Sequence, residues 1–236
     1  MSTSDRRGAD PIDVAELIVD GDERTGEGGF LAIRRLRLRN RRRDGSASAP
    51  YVCDGIVRPY GQDAVVVAVF TDAPTRVLVR EGLRPVIALA RDAAAAPLPE
   101  PPPSMWLAEL VAGIIETGDR GESGLRERAA AEVEEEAGFT VAPDDVVLLG
   151  AGMLPSPGCM VEKFYFAAVR VDPATQQPLA GDGSPMEEGA RTRWLGLDEA
   201  IAACVRGDIT DLKTELGLRR LRDYLASAAT SSGDSA

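Results

Sequence analysis

A chain of 236 residues, 44% hydrophobic and 28% charged, is long enough for one globular domain, or one domain with an added N-terminal layer. It holds no histidine, which excludes Ser-His-Asp and Cys-His hydrolysis, histidine-ligated zinc and imidazole proton shuttles. A net charge of -11 disfavours nonspecific nucleic-acid binding, which needs a basic surface to neutralise phosphates.

In chain order, residues 1–28 are polar and Gly/Asp-rich and are expected to be flexible, without the hydrophobic stretch of a signal peptide. From Phe30 the pattern turns to strands. "FLAIRRLRLRNRRRDG" alternates short apolar and basic positions and ends in the turn signal Asp44-Gly45, so residues 29–60 read as an antiparallel β extension. Its run from Arg34 to Arg43 is expected on the solvent or partner face of a strand rather than on nucleic acid. The three cysteines, Cys53, Cys159 and Cys204, are odd in number and in no CxxC pattern, so we expect buried thiols and neither disulfides nor zinc.

"DAVVVAVF" (63–70) and "TRVLVREGLRP" (75–85) predict two buried strands joined at Asp72-Ala73-Pro74. The apolar run in the first is too short to cross a bilayer, and the protein is expected in the cytosol. The Pro/Ala-rich stretch 91–104 reads as a surface loop or short helix. "WLAELVAGIIETGD" resumes strand character before a glycine turn, and a helix is predicted from Leu125 to Ala137, closed by Gly138. "VVLLGAGML", "KFYFAAVRV" and "RTRWLGL" follow as strands, and "DEAIAACVRG" and "DLKTELGLRRLRDYLA" as helices. A mixed α/β sheet with helices on its faces accommodates this order, with a main domain over 61–225 and a flexible tail over 226–236.

The helix carries "AAEVEEEAGF", four glutamates in five positions. At about 100° per residue Glu132, Glu135 and Glu136 share one sector about 100° wide, while Glu134 points away. Two carboxylates about 4 Å apart at an effective dielectric near 20 repel by roughly 4 kcal/mol, so the face works against folding unless a cation joins it. Oxygen ligands without histidine suit Mg²⁺ or Mn²⁺.

"GIIETGDRGESGLRERAAAEVEEEAGF" resembles the Nudix box, with Gly113, Glu132, Val133, Glu135, Glu136, Gly138 and Phe139 on its pattern. Four extra residues separate Gly113 from Glu132, and Ala131 stands where the family has an arginine that holds its glutamates in position. Arg128, one turn before Glu132, is expected to supply that role. The resemblance runs over roughly residues 30–225 and points to the ADP-ribose and nucleotide-sugar pyrophosphatase branch. There "LVREGLRP" makes Arg84 a substrate contact, to a phosphate or the base, and "WLAELVAG" places Glu109 near the nucleotide and the Ala112 carbonyl among the metal ligands. "LPSPGCMVEKFYFA", "SPMEEGARTRWLGLDEA" and "GDITDLKTELGLRRL" are similar to later segments of the same branch. The resemblance implies an α/β/α sandwich with an N-terminal dimer-forming extension. Its activity would be hydrolysis of a nucleoside diphosphate linked to another group, with Mg²⁺ or Mn²⁺ on Glu132, Glu135, Glu136 and Ala112. Glu187 and Glu188 are the implied candidates for general base or extra metal ligand. A non-catalytic sensor of ADP-ribose or a sugar nucleotide is the rival reading.

Overall fold

The computed structural model describes residues 14–58, 61–181 and 183–233. They divide into two compact units, one of residues up to Gln62 with Ser156–Glu162, the other of Asp63–Pro155 with the chain from Lys163 onward.

The first unit is a three-stranded antiparallel sheet of β1 (Val14–Thr25), β2 (Ala32–Arg42) and β3 (Tyr51–Val57). Much of the segment expected to be flexible is therefore a strand; residues 1–13 lie outside the described ones. The reason is charge pairing. Arg34, Arg37, Arg39 and Arg41 of β2 meet Asp22, Glu23, Asp20 and Glu16 of β1, and Arg35 meets Asp54 of β3, at 2.6–3.2 Å. The arginine run thus finds its acids inside its own sheet, and these exposed pairs specify register more than stability. The Arg39 guanidinium hydrogen-bonded to Asp20 holds that carboxyl below the usual carboxylate range. Cys53 and Cys159 are exposed and Cys204 is half-buried, so the expectation of three buried thiols is wrong. Short edge-type strands bury few of their side chains, and Cys159 lies on the excursion Ser156–Glu162, where its carbonyl accepts the Ile56 N–H.

The second unit is built on a seven-stranded mixed sheet of β4 (Ala64–Thr71), β5 (Arg76–Leu83), β6 (Trp106–Glu109), β7 (Val111–Ile114), β8 (Val147–Leu148), β9 (Phe164–Arg170) and β10 (Arg191–Gly196). Its helices are α1 (Pro85–Ala90), α2 (Gly121–Ala137), α3 (Leu197–Arg206) and α4 (Leu212–Gly233). The unbroken apolar run of β4 is explained by helices on both faces. Val65, Val67 and Val69 pack with Ala129, Val133 and Ala137 of α2, whereas Val66, Ala68 and Phe70 pack with Ala200 and Ile201 of α3 and Leu218 and Leu221 of α4. This is the expected α/β/α sandwich.

Three elements differ from the sequence expectation. "WLAELVAGII" is two strands, β6 on β5 and β7 on β4, because the Leu110 N–H leaves the ladder for Thr214 Oγ1 at 2.8 Å. "VVLLGAGML" is reduced to the two residues of β8. The expected flexible tail continues α4 as far as Gly233, with 234–236 outside the described residues. The Pro/Ala-rich stretch is a surface segment with one 3-10 turn, Ala93–Ala95. Among the described residues no helix is long and apolar enough to cross a membrane.

Candidate active site

Helix α2 presents its acids as the wheel predicts. Ala129, Val133 and Ala137 face the sheet, which turns Glu132 and Glu136 along its flank, each side chain only 11% exposed, and leaves Glu134 in solvent. Glu135 is half-buried. The Glu132 carboxylate lies over Gly113 of β7: a Cβ there would stand 1.7 Å from its Oε1, so any other residue at 113 would displace the carboxylate. Glu136 Oε2 accepts the Ala112 N–H at 3.0 Å. The glycine that opens the motif and the glutamates that close it therefore meet in space, across the four additional residues between them.

Burial, then the charges of Glu136 and Glu135, push the Glu132 carboxyl up to about 8. Burial also raises Glu136, opposed chiefly by the Arg80 guanidinium and then by the Ala112 N–H. Arg80 was missed by the sequence reading. It is 4% exposed, and from β5 its Nη1 lies 3.3 Å from Glu136 Oε1 and its Nη2 2.9 Å from Glu187 Oε1. The available signal was its place two residues after Leu78, on the face of β5 that packs against α2. Arg128 reaches Glu132 at 3.9 Å, but its shorter contacts, 3.0 and 2.9 Å, go to Glu116 and Asp119 of the preceding loop. It thus anchors that loop first and touches the carboxylate face second.

A cavity of about 320 Å³ opens beside Glu135 and Glu136, walled by Arg80, Ser184, Glu187 and Glu188. Glu187 is half-buried and turned to Arg80, whereas Glu188 is exposed at the rim. The loop carrying both is tied to the end of α2 by Gln177 N–H to Gly138 O and Gly181 N–H to Glu135 O. Arg84 and Glu109 meet each other: Arg84 Nη2 lies 2.6 Å from Glu109 Oε1, and buried Glu109 also pairs with Lys213. Lys213 in turn meets Asp211 at 2.9 Å, and Asp211 accepts from Thr214 at the start of α4.

Among the described residues no three carboxylate or thiol groups converge closely enough to form a ready-made metal cage. The donor set nonetheless fits a hard divalent cation. Buried, mutually repelling carboxylates, one with a strongly raised affinity for a proton, are the groups a cation would stabilise most. A test follows from the sign of that shift. Because the folded carboxyl of Glu132 binds a proton that the unfolded chain releases near 4.5, its contribution to stability is full below that pH and is lost as pH rises to about 8. Metal-free wild type should therefore lose Tm relative to Glu132→Gln across this window, and the stabilisation by added Mg²⁺ should grow. Parallel Tm curves for the two proteins in EDTA would show that Glu132 is ionised throughout.

No family model matches the chain. The chain is 30% identical over 200 residues to the ADP-ribose pyrophosphatase of Haemophilus influenzae, an alignment covering 85% of this chain and 83% of that relative. The chain belongs to the Nudix hydrolases. It falls in their ADP-ribose pyrophosphatase branch, and the mixed α/β architecture agrees with a solved ADP compounds hydrolase, at TM-score 0.66 and 13% identity over 92% of this chain and 97% of that one. A Nudix hydrolase of Nitrosomonas europaea aligns more loosely, at TM-score 0.46 and 18% identity over 71% and 90% of the two chains. In this Nudix hydrolase Gly113 and Glu132 are brought into contact, Glu136 accepts the N–H of the neighbouring Ala112, and Ala131, where the family resemblance places an arginine, is half-buried and apolar.

Proposed function

We propose that this hydrolase cleaves the pyrophosphate of a nucleoside diphosphate joined to a sugar, with ADP-ribose first among substrates, and releases a nucleoside monophosphate and a sugar phosphate. The observation that carries the reading is the row of carboxylates on one face of α2: Glu132 and Glu136 are nearly enclosed, and Glu135 and Glu136 line a cavity of about 320 Å³. Glu132, Glu135, Glu136 and the Ala112 carbonyl would hold Mg²⁺ or Mn²⁺, and the bound cation would supply charge neutralisation of the pyrophosphate and polarisation of the attacking water. Glu187 or Glu188 takes the proton of that water as its oxygen bonds phosphorus and the P–O–P bridge breaks. The half-buried position of Glu187 on the cavity wall favours it over Glu188. Arg84, its Nη2 oriented by Glu109, offers a fork of donors to a phosphate.

The exposed apolar residues Val14, Leu17 and Val19 of β1 and Ile33 of β2 support a homodimer formed through the three-stranded sheet. Ala131 favours one other reading, binding of the same nucleotides without turnover. Phosphate release after phosphatase coupling, screened over ADP-ribose, sugar nucleotides, dinucleotides and nucleoside triphosphates, decides between them. We expect turnover only with Mg²⁺ or Mn²⁺, and a Tm raised by the cation because it binds the folded site. EDTA-resistant hydrolysis with unchanged Tm would sink the metal assignment, and ligand-raised Tm without turnover would establish the sensor.

A further inference from the structure

Arg80 is a charged residue in the middle of a buried strand. Its predecessors Val77, Leu78 and Val79 are at most 1% exposed, and a guanidinium placed among them is costly unless each arm is paired. Both outer nitrogens are paired, and to different elements: Nη1 to Glu136 of α2, Nη2 to Glu187 of the loop before β10. Gly82 leaves the space for this arrangement, since a Cβ there would stand 2.5 Å from Nη1. Nε is buried without a hydrogen-bond partner. A group that were only filling the sheet would not need this geometry, because an aliphatic side chain fills it without an orphaned polar atom. The guanidinium also forms part of the wall of the cavity, between the helix acids and the loop acids.

We propose that Arg80 is the positioning arginine of this hydrolase: from outside the motif it bridges Glu136 and Glu187, and so aligns a helix carboxylate with the loop carboxylate opposite it, the task left vacant by Ala131. The inference rests on the reading that Glu136 and Glu187 act at the hydrolytic site. It has a consequence that simple structural support does not share. The positive charge of Arg80 opposes a cation at Glu136 while its fork aligns the acids, so the two effects of removing it have opposite signs. A lysine keeps the charge but is a point donor and cannot span both carboxylates.

The test compares wild type, Arg80→Met, Arg80→Lys, Glu187→Gln and the Arg80→Met, Glu187→Gln double variant. The Mg²⁺ concentration at the midpoint of the thermal shift, kcat and KM for ADP-ribose, and Tm in EDTA are measured. Arg80→Met is expected to lose about a hundredfold in kcat, as misplaced reacting groups do, while its Mg²⁺ midpoint stays level or falls. Arg80→Lys should keep the wild-type Mg²⁺ midpoint and leave kcat depressed. The Tm effects of Arg80→Met and Glu187→Gln in EDTA should be non-additive, since each removes the same contact. A wild-type kcat in Arg80→Met would overturn the proposal. Loss of kcat and Mg²⁺ binding in parallel would also overturn it. Should Arg80→Met fail to fold, a wild-type kcat in Arg80→Lys overturns it instead. If wild type hydrolyses none of the nucleotides, the hydrolytic reading fails separately, and additive Tm effects in EDTA would still refute the bridge.

Discussion

Glu136→Gln is expected to lower kcat by on the order of a hundredfold or more, while Glu134→Gln remains near wild type. The two positions lie two residues apart on α2 and so point to opposite sides of the helix. Glu136 is almost enclosed, accepts the Ala112 N–H at 3.0 Å and faces Arg80 at 3.3 Å. An amide there removes the charge and sets an N–H against either the Ala112 donor or the Arg80 donor, so both affinity for a cation and alignment suffer. Glu134 projects into solvent, where its contact is an exposed hydrogen bond from Thr140 Oγ1 at 3.1 Å. Substitution of such a residue changes stability by a few tenths of a kcal/mol at most. Steady-state kinetics with melting curves on both variants check the expectation. Equal losses at 134 and 136 would place the reacting face elsewhere on α2.

Gly138→Ala should destabilise the protein by about 3 kcal/mol, combining left-handed strain with overpacking. Gly138 ends α2 at φ 74, with its N–H on Glu134 O and the Phe139 N–H on Val133 O, the arrangement that lets Phe139 turn into the core beneath Trp194. The space around it is also taken: a Cβ would stand 2.1 Å from the Gln177 carbonyl oxygen, a backbone atom that cannot swing aside. For a chain of this size that cost corresponds to a drop in Tm of roughly 6–12 °C. The effect should reach function, because Gln177 begins the loop that brings Glu187 to Arg80. Differential scanning calorimetry of Gly138→Ala, with kcat measured well below its Tm, checks both parts. A Tm within about 2 °C of wild type would mean the loop yields freely at Gln177.

The legible parts of the site are those whose information is local. A 3.6-residue period sets Glu132, Glu135 and Glu136 on one side and Glu134 on the other, and the glycine stop at 138 follows from its freedom at positive φ. Helix α2 begins at Gly121 rather than Leu125, an end that no residue in "GESG" marks. Alternation in "VLVREGLRP" puts Arg80 on the face of Leu78, but it puts Arg84 there as well and does not say which arginine meets the carboxylates. What separates them is partners 56 and 107 residues away for one and 25 residues away for the other, and no spacing rule connects those. Arg128 shows the converse: its i,i+4 relation to Glu132 exists as the spacing implies, and the loop acids Glu116 and Asp119, which no spacing announces, share the same guanidinium at shorter range.

The sequence by itself determined the α/β class, the two-sided burial of β4, the carboxylate face of α2 and the exclusion of histidine chemistry, because each depends on composition or on periodicity within one element. Tertiary structure alone decided four further features: that β1 pairs its acids with the arginines of β2, that one apolar run divides at Leu110 between β5 and β4, that Gly113 receives Glu132, and that Arg80 joins Glu136 to Glu187. Each of these is a contact between groups distant in the chain. It forms because a buried charge or an unpaired backbone group must find a partner wherever the packed sheet and helices bring one within reach.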